Sequence, residues 1–93
     1  MLFEISALKV QEYDKWKTGF DGLKSILKEN GAICRRIFRD IEDPNKVMII
    51  IVWENLESLN KLAKEKALLA EFQKLGILEV DIHHFKEIEN KKL

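Results

Sequence analysis

The chain has 93 residues, of which 46% are hydrophobic and 34% are charged, and 16 basic side chains balance 16 acidic ones. This length is sufficient for one small domain, which we expect to span residues 1–93. The zero net charge argues against a nucleic-acid or anionic-membrane partner, since such surfaces usually need a clustered basic excess. The single cysteine excludes an intramolecular disulfide.

The amino-terminal residues do not resemble a secretory signal, because they have no basic segment and Glu4 and Ser6 interrupt the apolar residues. The longest apolar run, Val47–Trp53, is too short to cross a bilayer. We therefore expect a cytoplasmic protein.

The first predicted strand has two different apolar sides. It spans Leu2–Val10 and carries Phe3, Ile5 and Ala7 on one side and Leu8 and Val10 on the other.

A helix is predicted next, because five apolar side chains recur at helical spacing: Tyr13, Trp16, Phe20, Leu23 and Leu27. Asn30 and Gly31 end it, since both tolerate the left-handed conformation found at helix carboxyl ends. Gly19 borders the apolar stripe. Either packing compensates for this glycine, or the glycine leaves space for a close neighbour or a ligand.

A hairpin follows, in which alternation predicts one strand over Ala32–Ile41 and a second over Val47–Trp53. Pro44 lies in the turn between them. The second strand of this hairpin is apolar on both faces, whereas a sheet with one solvated face should alternate. One face can pack on helices, so something else must cover the other.

The last third of the chain is predicted to hold a broken helix and a strand. Asn55 can cap the helix, and its apolar side changes near Glu65–Lys66, which predicts a kink or two short helices. The first stripe comprises Leu56, Leu59, Leu62, Ala63, Ala67 and Ala70, and the second comprises Leu68, Phe72 and Leu75. Gly76 ends the element, and Ile77–Ile88 forms the final strand.

The order strand, helix, strand, strand, helix, strand predicts an α+β fold of the ferredoxin-like βαββαβ type. Its four-stranded antiparallel sheet has helices on one face, and its first and third strands are central. The other sheet face requires a partner, and two such sheets facing each other across a two-fold axis predict a homodimer.

Several blocks of the sequence resemble the dimeric α+β barrel superfamily, and within it small proteins related to antibiotic-biosynthesis monooxygenases, often called cyclase-like. The blocks are Lys9–Lys17 with Phe20–Asp21, Arg36–Asp40 leading into Asp43–Val47, and Trp53–Glu57. The resemblance spans about Leu8 to Phe85.

The chain departs from this pattern at three places: Glu12 replaces a capping aspartate, Glu65–Lys66 replaces a helix-breaking serine-proline, and Glu79–Asp81 has no proline. The resemblance implies a homodimer whose facing sheets form a barrel, with a small pocket in each subunit between helices and sheet. It implies no catalytic constellation.

The candidate ligand pocket is assigned to the aromatic side chains best able to lie between helix and sheet. These are Tyr13, Trp16, Phe20, Trp53 and Phe72, for which core packing is the alternative role. The expected ligand is a flat apolar or aromatic molecule with a few polar groups. His84 and Arg36 are the candidate catalytic residues, as groups that could polarise it.

No metal or cofactor is assigned. His83 and His84 are adjacent, so on a strand they point to opposite faces and cannot share a metal ion. Cys34 is interpreted as a small buried hydrophobic residue rather than a nucleophile.

Three functions fit these observations. The first is a cofactor-independent monooxygenase or cyclase-like enzyme for a small aromatic or apolar substrate. The second is a non-catalytic ligand-binding or regulatory dimer, and the third is a haem-binding or haem-degrading protein. Fold analogy alone does not choose between them.

Overall fold

Four antiparallel strands form one sheet, in the order β2-β3-β1-β4. The computed structural model of the chain describes residues 1–64 and 66–93, without the side chains at positions 62, 63 and 66–69. The elements are β1 (Leu2–Val10), α1 (Tyr13–Asp21), α2 (Lys24–Glu29), β2 (Ala32–Arg39), β3 (Lys46–Trp53), α3 (Leu56–Ala63), α4 (Lys66–Gln73) and β4 (Ile77–Lys86). The predicted fold class is confirmed, with the first and third strands at the centre.

The sheet has two faces that the strand register separates, because residues directly opposite on antiparallel strands point to the same side. The covered face, on which the helices pack, carries Glu4, Ser6, Leu8, Arg35, Val47, Ile49, Ile51, Val80, Ile82 and His84. The open face carries Phe3, Ile5, Cys34, Arg36, Phe38, Met48, Ile50, Val52, His83 and Phe85.

The core lies between the covered face and the helices. The predicted helical stripe supplies Trp16, Phe20, Leu23 and Leu27 to it, and Tyr13 packs at its margin. The Trp16 and Phe20 rings are stacked, with centroids 5.0 Å apart. The sheet contributes alternate residues of β3, which are Val47, Ile49, Ile51 and Trp53.

The first helical segment differs from the prediction, because it is two short helices rather than one. Gly22 closes α1 through a hydrogen bond from its N–H to the carbonyl of Thr18. The Leu23 N–H also donates to the Phe20 carbonyl, so the chain tightens before α2 begins. Glycine is a weak helix former, which favours the break at this point. The apolar stripe survives because the break does not change which residues face the sheet.

Asp21, at the end of α1, connects this break between the two helices to strand β2 through hydrogen bonds. Its carboxylate accepts hydrogen bonds from Lys17 and from Arg35 of β2. These two hydrogen bonds, that from Lys17 first, hold the pKa of Asp21 below its ordinary value. The Arg35 guanidinium also lies over the Phe20 ring, 4.9 Å from its centroid.

Strand β2 begins with an irregularity that corrects the prediction for Cys34. The register with β3 shifts between Ala32 and Cys34, so the extra residue, Ile33, changes which side the following residues face. Cys34 consequently lies exposed on the open face, and its interpretation as a buried residue is wrong.

Strand β2 also ends earlier than predicted, at Arg39. The Asp40 carboxylate accepts hydrogen bonds from the N–H groups of Glu42 and Asp43, at 3.0 and 2.8 Å, and turns the chain. The bond from Asp43 and then that from Glu42 lower the pKa of Asp40.

The predicted division of the second helical segment is confirmed by two helices, α3 and α4. Asn55 caps α3, since its side-chain oxygen accepts a hydrogen bond from the Ser58 N–H at 2.8 Å. Glu65, at the predicted break, lies outside the described residues, as do the side chains of Leu62, Ala63, Ala67 and Leu68. Of the other stripe residues, Leu59, Phe72 and Leu75 pack in or against the core, as predicted. Leu56 and Ala70 are exposed, so the first stripe is wrong at these two positions. Strand β4 ends at Lys86, two residues before its predicted limit at Ile88.

Two glycines with positive φ connect the helices to the edge strands. Gly31 (φ 99°) precedes β2, and Gly76 (φ 68°) precedes β4. The Gly31 carbonyl accepts a hydrogen bond from the Glu54 N–H at 3.1 Å, just after β3. The Gly76 carbonyl accepts one from the Gln11 N–H at 2.8 Å, just after β1. Each glycine thus fixes the end of a central strand.

Gly19 makes room for a neighbour, one of the two roles considered for it. A Cβ atom at this position would overlap the side chain of Leu75, which follows α4. The glycine therefore permits close packing of α1 against the end of α4.

Among the helices of the described residues, none is both long and apolar enough to cross a membrane.

Candidate functional site

A cavity of about 370 Å³ lies between the covered face and the helices. This volume is within the range of small-molecule sites. Its apolar walls come from the sheet and from α1, α2, α3 and α4, and comprise Leu8, Trp16, Phe20, Leu27, Ile49, Ile51, Leu59, Phe72, Ile77, Val80 and Ile82. Val80 and Ile82 remain 54% and 51% exposed, so the cavity opens to solvent along β4.

Of the described residues that line the cavity, four are polar: Glu4, Ser6, Asn60 and His84. Glu4 and Ser6 are on the central strand β1, His84 is on the edge strand β4, and Asn60 is on α3. Ser6 is only 7% exposed. The polar groups therefore come from both the floor and the roof of an otherwise apolar space.

A polar contact in the cavity joins His84 to Glu4. These residues are directly opposite each other on β4 and β1. Nε2 of His84 lies 3.2 Å from Oε2 of Glu4, within hydrogen-bonding distance. The Glu4 side chain is 18% exposed and that of His84 is 45% exposed, so the pair reaches from the cavity floor to its opening. Such a pair can accept and return a proton beside a bound molecule.

The structure brings together four of the seven candidate residues. Trp16, Phe20, Phe72 and His84 line the cavity. Tyr13 lies at the edge of the core, and the centroids of its ring and the Trp16 ring are 5.9 Å apart. The Arg39 guanidinium lies 4.0 Å from the centroid of the Tyr13 ring. Neither Tyr13 nor Trp53 is among the described residues that line the cavity.

Arg36 lies on the other side of the sheet from His84. It is opposite Ile50 in the register, and its guanidinium lies 5.1 Å from the centroid of the Phe38 ring. Since the sheet separates it from the cavity, Arg36 cannot act together with His84 of the same chain on one bound molecule.

Glu4, Ser6 and Asn60 are cavity residues that the sequence reasoning did not select. For Glu4 and Ser6 a signal was available, since they alternate with Leu2 and Leu8 on one side of a strand. Polar residues at two successive inward positions of a central strand indicate a polar site or a cavity.

A larger surface groove, of about 750 Å³, lies elsewhere, at the end of the sheet near the β2–β3 turn. Charges of both signs line it, including Lys9, Lys46, Asp43 and Asp81. Of the described residues that line it, Phe38 is the only aromatic one, and the His84–Glu4 pair is not among them, so we take the smaller cavity as the candidate site. Across the described part of the chain, no group of three or more His, Cys, Asp or Glu side chains is arranged to hold a metal ion.

Neither models of known protein families nor curated proteins match the chain. Solved structures do match. SnoaB from Streptomyces nogalater, described as a cofactor-independent oxygenase, has a TM-score of 0.87 and 12% identity, covering 96% of this chain and 94% of its own. A candidate antibiotic biosynthesis monooxygenase from Bordetella bronchiseptica has a TM-score of 0.78 and 20% identity, with coverages of 95% and 97%.

A candidate antibiotic biosynthesis monooxygenase from Caulobacter crescentus CB15 is a further match, with a TM-score of 0.80 and 15% identity, covering 95% of this chain and 90% of its own. The chain has the fold of the antibiotic biosynthesis monooxygenase-like proteins. The resemblance stated from the sequence is confirmed at this level. Because the identities are only 12 to 20%, the likeness establishes the fold. The activity has to be inferred from the residues of the site.

Proposed function

We propose that the cavity binds a small, flat aromatic molecule and that the protein is a cofactor-independent monooxygenase-like enzyme acting on it. The observation that carries this proposal is the cavity of about 370 Å³, which combines aromatic walls with the His84–Glu4 pair. The likeness to SnoaB, described as a cofactor-independent oxygenase, agrees with it.

The chemistry of such a reaction sets requirements on the substrate. Without a cofactor, the substrate must itself supply the electrons that reduce O2. A carbon that bears two hydrogens between electron-rich aromatic rings satisfies this, because its anion is delocalised over the rings. The anion adds O2 to give a hydroperoxide, which loses water to leave a ketone. The balance is RH2 + O2 → R=O + H2O.

The cavity residues fit the first step of this reaction. His84 would accept the proton from the substrate carbon, with Glu4 stabilising the resulting imidazolium. Trp16, Phe20 and Phe72 would hold the flat anion by aromatic and apolar contact. The apolar surroundings would strengthen the electrostatic interaction between the anion and His84.

The test uses dithranol, a hydroxylated anthrone with such a carbon, and measures oxygen consumption above the rate without protein. We expect the wild type to convert it to the corresponding quinone. The variant His84→Gln should lower turnover by about 100-fold, the lower part of the usual contribution of a general base. His83→Gln is the matched control, since His83 is on the open face. Equal turnover in His84→Gln and wild type would contradict the role of His84.

Native mass spectrometry of the purified protein tests ligand binding separately from turnover. A retained aromatic molecule without oxygen consumption would indicate the non-catalytic ligand-binding dimer. A Soret band on reconstitution with micromolar haem would favour the haem-binding alternative. A cavity that retains and binds no aromatic molecule would contradict the proposal.

We also propose that two copies of the chain associate through their open faces. The open face exposes large apolar side chains, with Phe38 at 41%, Met48 at 43% and Phe85 at 51%, around a centre formed by Ile5 and Ile50. A second copy would cover this face and explain why both sides of β3 are apolar. Light scattering should give the mass of two chains.

The cytoplasm stays the predicted compartment.

A further inference from the structure

Glu4 occupies a costly position for a carboxylate. It is on a central strand, between Ile51 of β3 and His84 of β4, with only 18% of its side chain exposed. A carboxylate in apolar surroundings requires a partner that donates hydrogen bonds or carries positive charge. Among the described residues that line the cavity, Glu4 is the only carboxylate, and His84 is its hydrogen-bonding partner.

The chemistry of the two groups decides which imidazole nitrogen carries the proton. An ionised carboxylate has only acceptor atoms, whereas neutral imidazole has one donor and one acceptor nitrogen. The nitrogen facing Oε2 of Glu4 is Nε2, at 3.2 Å. In the neutral ring, Nε2 must therefore be the donor, which leaves the lone pair on Nδ1.

We propose that Glu4 is a positioning residue that holds His84 in the Nε2–H tautomer and makes Nδ1 the proton acceptor for the substrate. This inference rests on the proposed function, in which His84 takes a proton from the bound molecule. Glu4 itself touches no reacting atom in this scheme. It acts by fixing the ring orientation and the tautomer, as a carboxylate behind a histidine does in other acid–base sites.

The chain contains a second histidine–carboxylate pair that serves as an internal comparison. Nε2 of His83 lies 3.0 Å from Oδ1 of Asp81, but both side chains belong to β4 and are 59% and 73% exposed. This pair is on the open face, away from the cavity. Substitution of Asp81 therefore removes a similar contact without altering His84.

The first experiment determines the tautomer directly. Long-range ¹H–¹⁵N correlation spectra of the ¹⁵N-labelled full chain are recorded at about pH 8, where ordinary histidines are neutral. In the wild type we expect His84 to be the Nε2–H tautomer. In Glu4→Gln we expect a mixture of tautomers, because an amide can donate as well as accept. Asp81→Asn should leave the His84 signals unchanged.

Turnover of dithranol provides the second measurement. Glu4→Gln should lower kcat by about 10-fold or more while KM changes by less than about twofold, since ground-state binding is retained. Glu4→Asp keeps the carboxylate and should recover part of kcat.

The outcomes separate this inference from the function on which it rests. An Nδ1–H tautomer in the wild type, or unchanged tautomer and kcat in Glu4→Gln, would overturn the role of Glu4. If the wild type holds the Nε2–H tautomer but consumes no oxygen, the proposed function is wrong while the assignment of Glu4 as the group that orients His84 is supported.

Discussion

Both faces of the sheet carry many apolar residues, but the helices that the structure describes pack on only one of them. Along β3, Ile49 and Ile51 of the covered face are 5% and 4% exposed, while Met48 of the open face is 43% exposed. Helices account for the burial on the covered face, and the cavity with its polar pair is on that same side. The open face has aromatic and aliphatic side chains, but none of the described helices packs on it. The covered face therefore stabilises the fold and holds the candidate site, whereas the open face is the one that we propose for association.

The largest effect is expected from a charge on the covered face. Ile51→Glu would place a carboxylate in the core and remove a well-packed side chain, which we expect to cost more than about 4 kcal/mol of unfolding free energy. Denaturant unfolding followed by circular dichroism measures this. Ile51→Val is the control and should cost about 1 kcal/mol. A variant Ile51→Glu with nearly wild-type stability would show that this face is not the core.

The neighbouring position tests the open face with the same substitution. Ile50→Glu should leave the subunit folded, but a buried unpaired charge in the contact between copies should weaken association by about 100-fold. Light scattering across micromolar concentrations should then give the mass of one chain, while Ile50→Val should keep two. A monomeric wild type, or a fully dimeric Ile50→Glu, would contradict the proposed use of this face.

The smallest effect concerns the edge of the covered face, where Asp21 joins α1 to β2. Hydrogen bonds from Lys17 and then Arg35 lower its pKa in the folded state. Its stabilising contribution is therefore complete above the unfolded-state value of 3.8 and is lost as the pH falls through the lower folded value. Asp21→Asn should lose less stability than the wild type between about pH 5 and pH 2.

The measurement for this last prediction is the urea midpoint as a function of pH. Lys17→Met removes the larger cause of the pKa shift, so it should also reduce the acid-dependent loss. Identical curves for the wild type and Asp21→Asn would show that this carboxylate does not contribute.

Much of the fold follows from the sequence because its signals are periodic. The helical spacing of Trp16 and Phe20 places both against the sheet, and the alternation around Pro44 gives the hairpin. Local hydrogen bonds were harder to foresee. The break after Asp21 depends on hydrogen bonds from the Gly22 and Leu23 N–H groups to the Thr18 and Phe20 carbonyls, respectively. The exposure of Cys34 depends on one extra residue at the start of β2.

The site was only partly predictable for a different reason. His84 and the aromatic residues could be selected by residue type, but the partner of His84 is 80 positions away along the chain. Only the register of β1 against β4 brings Glu4 opposite it. Without that register, Glu4 was simply a polar interruption in an apolar strand.

The strand order has a consequence for how the molecule unfolds. The chain can be divided into two βαβ-type halves, one from β1 to β2 and the other from β3 to β4. Every ladder in the sheet, β2–β3, β3–β1 and β1–β4, joins a strand of one half to a strand of the other. The hydrogen bonds to the Gly31 and Gly76 carbonyls also cross between halves. Neither half contains a strand pair of its own, so the two should fold and unfold together in one cooperative transition.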